Sequence, residues 1–285
     1  VIKLKKIISF QGELGAYSHE ACRLARPDWE FLPCISFEDA ISAVLNNKSE
    51  EVMLPVENSI YGRVADIHKL LPESGLFIND EVFVKIEINL MVLPGTSLEK
   101  VKYAYSHPVL LGQCKKFLKQ HGIIPLTSVD TSGSARLIAE KKDPSYAALA
   151  SNLASQIFKL QIIQKNIEDA HFNRTRFIIM SKNRKWARKS ESMMTSFVFA
   201  VRNIPAALYK AMGGFATNNV NMVKLESYMV GGSFNATQFF AEIEGHPEDE
   251  GVVLALEELR FFTDYLEIIG VYPAHKARLE VNSKS

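Results

Sequence analysis

The sequence predicts an α/β fold in two parts, a larger body of alternating strands and helices followed by a small βαββαβ module. Three observations carry this. Short apolar runs alternate with amphipathic helical patterns from Lys6 to Met180, as expected of a mostly parallel sheet covered by helices. The stretch 181–192 then carries five Lys or Arg and one Glu, with Trp186 and Ala187 as its apolar residues. Beyond it, strand, helix, strand, strand, helix, strand fill roughly 80 residues, which is the ferredoxin-like order.

Lys6–Phe10 reads as a strand and Tyr17–Arg26 as a helix with Ser18 near its start. Phe37–Leu45 is a second helix, with Ser36 as its cap and Asp39 in its first turn. Val52–Val56 reads as a buried strand, and Arg63–Leu71 as a helix stopped by Pro72. Phe83–Leu93 is one long β-like segment. Val101–Tyr105 is a strand, Val109–Gln120 a helix opening after His107-Pro108, Ile123–Leu126 a strand and Ser132–Lys141 a helix. Tyr146–Leu149, Leu153–Phe158 and Thr175–Met180 continue the alternation. In the module, Ser196–Val201, Met222–Tyr228, Gln238–Ile243 and Leu266–Val271 are strands, and Ala206–Thr217 and Pro247–Arg260 are helices. The chain therefore divides into a body (1–181), a solvated linker (182–193), the module (194–274) and a tail (275–285).

Composition removes several function classes. The 285 residues suit about two domains, and 47% hydrophobic with 23% charged residues excludes a disordered or low-complexity chain. A net charge of +1 provides no basic field for nucleic acid. Phe197–Val201 is typical of the longest apolar runs, far below the ~20 residues a bilayer demands, so no membrane span is expected. Cys22, Cys34 and Cys114 are three and far apart, which suits free thiols in a reducing cytoplasm. No two histidines fall at helical i, i+4 spacing and no Cys-x-x-Cys occurs, so no zinc or iron site is expected. Gly12-Glu13-Leu14-Gly15 lacks the Gly-Lys-Ser/Thr of a phosphate loop and reads as a tight turn.

What remains is a series of polar clusters where strands end. They are Glu57-Asn58-Ser59 with Gly62-Arg63, Ser106-His107-Pro108 with Gln113, Asp130-Thr131-Ser132-Gly133-Ser134, and Asn173-Arg174-Thr175-Arg176-Phe177. Each alone reads as a turn, a helix cap or a strand edge. Three follow strands at their carboxyl ends, where open α/β sheets bind ligands.

Taken in order, the clusters resemble the prephenate dehydratase family. The likeness rests on Phe10-Gln11-Gly12 with Gly15-Ala16-Tyr17-Ser18, on Leu54-Pro55-Val56-Glu57-Asn58-Ser59, and on His107-Pro108 with Gln113-Cys114. Asp130-Thr131 with Gly133-Ser134-Ala135 and the triplet Thr175-Arg176-Phe177, preceded by Ile167-Glu168-Asp169, complete it over roughly residues 5–275. The resemblance implies a two-lobed, periplasmic-binding-protein-like catalytic domain and a ferredoxin-like ACT domain that senses L-phenylalanine. With no mutase segment before Lys5, it implies the monofunctional form.

The implied reaction converts prephenate to phenylpyruvate with loss of carbon dioxide and water, without a cofactor. Hydroxide leaves poorly, so the site must offer its oxygen a proton or a strong hydrogen bond. The resemblance gives this role to Thr175. Arg176 is expected beside it in the same cleft, its planar fork on the pyruvyl carboxylate. Asn58, Ser59, Ser106, Gln113 and Thr131 are expected as uncharged donors, Ser132 and Phe177 as substrate contacts, and Glu57 and Asp130 either as acids or as orienting groups. The two lobes are expected to hinge.

The module departs from the family pattern. Pro205-Ala206-Ala207-Leu208 stands for Pro-Gly-Ala-Leu, and Glu226-Ser227-Tyr228-Met229 for Glu-Ser-Arg-Pro. Ala206 adds a methyl group and restricts the backbone where a ligand would approach. The regulatory set is then Asn203, Ala206, Ala207, Leu208, Glu226 and Ser227, with phenylalanine inhibition still expected. A homodimer or homotetramer is expected, because such modules pair edge to edge. Two alternatives stay open: a non-catalytic sensor of aromatic acids, and preference for the aminated substrate arogenate.

Overall fold

The computed structural model describes residues 5–170, 172–202, 204–229 and 238–278. Asn203 of the regulatory set and residues 279–285 of the tail lie outside them.

In chain order the elements are β1 (Ile7–Gln11), α1 (Tyr17–Ala25), β2 (Glu30–Cys34), α2 (Phe37–Leu45), β3 (Glu51–Asn58), β4 (Gly62–Arg63), α3 (Ala65–Glu73), β5 (Phe77–Lys85) and β6 (Asn89–Val92). Then come β7 (Tyr103–Ser106), α4 (Pro108–Gln113), α5 (Lys115–Gln120), β8 (Ile124–Thr127), α6 (Thr131–Lys141), β9 (Tyr146–Ala150), α7 (Asn152–Phe158), β10 (Gln161–Gln164) and β11 (Arg174–Ser181). The last group is β12 (Met193–Val201), α8 (Ala207–Thr217), β13 (Met222–Tyr228), β14 (Gln238–Glu244), α9 (Glu250–Phe262) and β15 (Thr263–Pro273). The chain forms two compact units, residues 1–62 with 83–177 and residues 63–82 with 178–285.

The first unit holds two lobes. One carries the strand order β11–β3–β1–β2, with β1 parallel to both β2 and β3 and with α1 and α2 packed against it. The other is a five-stranded sheet in the order β10–β6–β9–β7–β8. Its core of Met91, Ala135, Ile138, Ala148, Ala150 and Ala154 is small enough for α6 and α7 to lie close to the sheet. Pro33 and Pro125 sit in β2 and β8, both edge strands, where a missing N–H costs no ladder bond.

Several elements differ from the sequence reading: among them, the helix expected to stop at Pro72 runs through it to Glu73 as α3, and the two-residue β4 is not foreseen. That reading lacks β2 and β10; the first is half-exposed and the second short, so neither shows an apolar run. The long segment 83–93 is two strands, β5 and β6, which belong to different sheets; between them the Ile88 N–H leaves strand pairing and donates to Glu168 Oε2 (2.9 Å). The helix 109–120 breaks at Cys114. The Gln113 carbonyl, which a continuing helix would use, accepts the Asp169 N–H at 2.7 Å.

In the second unit, β12 to β15 take the order β13–β14–β12–β15 with antiparallel neighbours. This is the ferredoxin-like arrangement expected for the βαββαβ order. Phe197, Phe199, Phe215 and Phe239 pack with Ala211, Ala255 and Leu259 under α8 and α9, each fully buried aromatic contributing about 1.5–3 kcal/mol. β15 also pairs with β5 at Gly270 and Ile78. A Cβ on Gly270 would lie 2.7 Å from that of Ile78, so glycine is required there. Glu81 of β5 takes two bonds from Arg278 (2.7 and 2.8 Å), and Glu242 of β14 accepts from Tyr272 (2.9 Å). No helix among the described residues is long and apolar enough to cross a membrane.

Candidate active site

β3 and β11 are neighbours, and their register is set at the mouth by Ser59. Its N–H donates to the Arg174 carbonyl at 2.9 Å, its hydroxyl donates to the Phe172 carbonyl at 3.0 Å, and the same oxygen accepts the Arg174 N–H at 2.9 Å. Ser59 is thereby committed to the backbone. Its register sets Asn58 beside Thr175 and Glu57 beside Arg176, and successive strand residues project to opposite faces. The bonding obeys this alternation.

On one face, Asn58 Nδ2 donates to Thr175 Oγ1 at 3.0 Å and to Asn173 Oδ1 at 2.7 Å. Asn58 Oδ1 accepts the backbone N–H groups of Ile60 (2.9 Å) and Tyr61 (3.0 Å). Backbone N–H groups can only donate, so the orientation of the Asn58 amide is fixed without ambiguity. Thr175 Oγ1 is an acceptor toward Asn58, and its single proton is directed elsewhere. Asn173, fully buried, passes its Nδ2 to Gln113 Oε1 at 3.0 Å. Thr175, Asn58 and Gln113 are thus one neutral hydrogen-bonded cluster, assembled through Asn173, which the sequence places in a polar cluster without a role of its own. Asn173 stands two places before Thr175, and the period of 2 along an extended chain is the signal that could have found it.

On the opposite face, Arg176 Nη1 donates to Glu57 Oε1 at 2.9 Å. The guanidinium side chain is 2% exposed and the carboxylate side chain 34%. The expected placement of Thr175 and Arg176 in one cleft does not hold: two consecutive strand residues cannot share a face, and Arg176 is enclosed beside Glu57.

The other expected residues are engaged in structure. Ser106 is fully buried and donates to the Leu149 carbonyl at 2.7 Å, joining β7 to β9. Asp130 caps α6 by accepting the Gly133 N–H, and Thr131 opens that helix, half-buried. Ser132 donates to the Leu14 carbonyl at 2.6 Å, Ser151 donates to the Gly15 carbonyl at 2.6 Å, and Arg136 grips Glu13 with two bonds of 3.0 Å. These contacts fasten the loop after β1 to the second lobe. Gly15 (φ +96°) is required there, because a Cβ would lie 2.6 Å from Ser132 Oγ. The two lobes are sutured at this point, so any hinge must lie elsewhere. Phe177 is core, 2% exposed.

Three buried ionisable groups of the first unit, Cys114, Tyr17 and His19, are held neutral. Burial, with Glu168 and Asp169 nearby, pushes the Cys114 thiol well up. Burial also raises the Tyr17 phenol, which donates to the Glu87 carbonyl at 2.9 Å. His19 accepts the Gly15 N–H on Nδ1 at 3.0 Å and stacks on Phe10; burial, then Arg23, lowers its pKa from 6.5 to about 4. Among the described residues, no three His, Cys, Asp or Glu side chains gather as a metal site would need.

Of the regulatory set, Ala206 adopts a left-handed conformation (φ +62°) just before α8. Ala207 is buried, and Leu208 packs on the module core. Glu226 accepts from Arg63 at 3.0 Å, and Ser227 is exposed.

The sequence model described as prephenate dehydratase matches residues 8–185. A bifunctional N-acyl-homoserine lactone acylase/prephenate dehydratase of Komagataeibacter europaeus is 46% identical over 96% of this chain and 98% of its own length. An arogenate dehydratase/prephenate dehydratase of Arabidopsis thaliana is 33% identical over 95% of this chain and 73% of its own. Among solved structures, one described as a novel type of quorum-quenching acylase superimposes with a TM-score of 0.91 at 46% identity, over 96% of this chain and 100% of its own. The prephenate dehydratase of Arthrobacter aurescens in complex with L-Phe superimposes with a TM-score of 0.86 at 24% identity, over 98% of this chain and 97% of its own.

Proposed function

Since this chain belongs to the prephenate dehydratase family, a family of carbon–oxygen lyases, we propose that its reaction centre is the Thr175–Asn58–Gln113 cluster acting on prephenate. The observation that carries this is the direction of one hydrogen bond: Thr175 Oγ1 accepts from Asn58. The hydroxyl proton is left to donate, and an oxygen that already accepts a bond is the stronger donor for it. Prephenate dianion and one proton yield phenylpyruvate, carbon dioxide and water. The ring carboxylate leaves as carbon dioxide, its bonding pair enters the ring, and the hydroxyl departs as water. Thr175 stabilises the departing oxygen by an aimed hydrogen bond, and the proton comes ultimately from solvent. Gln113 offers the second donor through Nε2. Arg176 holds Glu57 on the opposite face of the strands. The test is ultraviolet detection of phenylpyruvate enolate on mixing the protein with prephenate; no signal at micromolar enzyme ends this reading.

We read residues 1–181 as the catalytic domain, 182–193 as the linker and 194–274 as an ACT domain, and expect L-phenylalanine to inhibit. The phenylalanine complex of the Arthrobacter aurescens relative supports this. Unchanged turnover at millimolar phenylalanine opposes it. Exposed Val223 and Leu225 on β13, an edge strand of the module, support a homodimer paired at that edge, to be read by light scattering. The double name of the Arabidopsis thaliana relative makes arogenate the second substrate to assay, and the ratio of kcat/KM values ranks the two. Amide hydrolysis, named for the Komagataeibacter europaeus relative, is less well supported at this cluster. A nucleophilic Thr must give its proton to a bonded base, and the partner of Thr175 is an amide donor.

A further inference from the structure

We infer that Asn173 is a positioning residue of this site: it dictates that Gln113 presents its nitrogen, not its oxygen, away from the relay. The inference rests on the reading of Thr175, Asn58 and Gln113 as the reaction centre.

The argument is one of propagated polarity. The backbone N–H groups of Ile60 and Tyr61 claim Asn58 Oδ1. Asn58 therefore turns Nδ2 toward Asn173, whose side chain must answer with Oδ1, at 2.7 Å. The remaining end of Asn173 is its Nδ2, and Gln113 must answer with Oε1, at 3.0 Å. Gln113 is then left with Nε2 as its outward end. No link in this chain can be reversed alone, because two facing donors or two facing acceptors in a buried site would each go unpaired. Asn173 is fully buried and Gln113 7% exposed, so water cannot mend such a mismatch cheaply. Only a side chain with one acceptor and one donor at its two ends can pass the polarity on. Ionised Asp, which only accepts, and Leu, which does neither, cannot. The carbonyl of Asn173 accepts the Ile86 N–H at 2.9 Å, which pins its backbone. The consequence for the reaction is that Thr175 and Gln113 both present donors, as the departing oxygen and the carboxylates of an anionic substrate require.

The test is Asn173→Asp. This change keeps the acceptor that Asn58 needs and replaces the Nδ2 donor by a second acceptor. Gln113 must then reverse, offering Nε2 to the introduced carboxylate and Oε1 outward. At neutral pH, kcat for prephenate is expected to fall ~10²-fold, the cost of one aimed donor, with KM changed much less. As pH falls and the introduced carboxylate takes a proton, it can again donate to Gln113, so kcat recovers along an acid limb that wild type lacks. Glu57, Arg176, Glu168, Asp169 and Cys114, the ionisable groups on the neighbouring segments, are common to both proteins and cancel in the comparison. Wild-type kcat in the variant, or a loss of equal size at every pH, would overturn the assignment. Should Asn173→Asp melt below assay temperature, Gln113→Glu keeps the acceptor that Asn173 Nδ2 needs and replaces the outward donor by an acceptor, so kcat is expected to fall by the same ~10²-fold at neutral pH and to recover as pH falls. Wild-type kcat in that variant at neutral pH overturns the assignment. The side-chain NH2 signals of Gln113 in 15N spectra must also shift between wild type and Asn173→Asp. This readout stands even if prephenate proves not to be the substrate, so failure of the polarity argument and failure of the substrate reading are told apart.

Discussion

Asn58 uses every hydrogen-bonding position of its amide, with Ile60, Tyr61, Asn173 and Thr175 as partners. Tyr228, which stands where the resembling family has Arg, keeps a buried hydroxyl with no partner among the described residues. The same contrast holds for the backbone. Ser59 bonds at three points and locks β3 to β11, whereas Ala206, standing where the family has Gly, is held at φ +62°. Around Asn58 and Ser59 the polar groups satisfy one another, whereas Tyr228 carries a hydroxyl with no partner among the described residues and Ala206 a left-handed backbone. Satisfaction at every level marks a site under one consistent set of demands, and local violations mark one whose demands have shifted. The segment around Asn58 and Thr175 thus reads as maintained and the loop before α8 as changed.

The largest effect is expected at the satisfied end of this comparison. Thr175→Val keeps the shape of the side chain and removes its hydroxyl. We expect kcat to fall ~10²–10³-fold, with a stability loss of about 1 kcal/mol from the one unpaired hydrogen of Asn58. Retained turnover in steady-state assays would break the comparison at its centre. Next is the opposite face of the same strands. Glu57→Gln leaves the buried Arg176 cation facing a neutral amide. Because the carboxylate side chain is 34% exposed, the loss lies between those of exposed and fully buried pairs, at about 2 kcal/mol. The expected result is a melting temperature lower by several degrees with kcat reduced far less than in Thr175→Val. A kcat loss as large as that of Thr175→Val, at unchanged stability, would put Glu57 in the chemistry instead.

Much of this is legible in the sequence. The βαββαβ order, the helix cap Ser36, whose hydroxyl accepts the Asp39 N–H, and the presence of Asn58, Gln113 and Thr175 in one cluster follow from local pattern and motif order. Strand alternation alone forbids Arg176 from facing the same side as Thr175, and the structure pairs it with Glu57. Ser106 and Ser132 pass for substrate donors because a hydroxyl in a motif looks the same whether it meets a ligand or a carbonyl. Their partners, Leu149 and Leu14, lie 43 and 118 positions away, and no local rule reaches that far. The break at Cys114 is hidden for the same reason, since Asp169 imposes it from another segment.

A third prediction concerns the loop that Gly15 anchors. His19 is buried with its pKa lowered to about 4 from 6.5. The folded state keeps this ring neutral while the unfolded chain protonates it. Above pH 6.5 both states are neutral and the group contributes nothing to the pH dependence. Between 6.5 and about 4 the unfolded state binds the extra proton, so stability falls as pH falls, and below about 4 the loss stops growing. His19→Asn places an acceptor where Nδ1 was, preserving the bond from the Gly15 N–H, and removes the titration. Urea melts from about pH 7 to 4 should show a shallower decline for the variant. Equal slopes would mean that His19 is charged within the fold.

The smallest effect tests the strained end of the comparison. Ala206 at φ +62° sits in a region that costs an L-residue about 1–2 kcal/mol. Ala206→Gly removes that cost but gives back part of it through the greater freedom of glycine in the unfolded chain. The net expectation is a gain of less than about 1 kcal/mol, seen as a small rise in the melting temperature. The same change restores the Pro-Gly-Ala-Leu form of the loop. If the added methyl group is what alters the ligand site, phenylalanine should inhibit Ala206→Gly at lower concentration than wild type, with uninhibited turnover unchanged. A stabilised variant with an identical inhibition curve would show that Ala206 strains the loop without shaping its ligand contacts, and would move attention to Tyr228, the other departure from the family pattern.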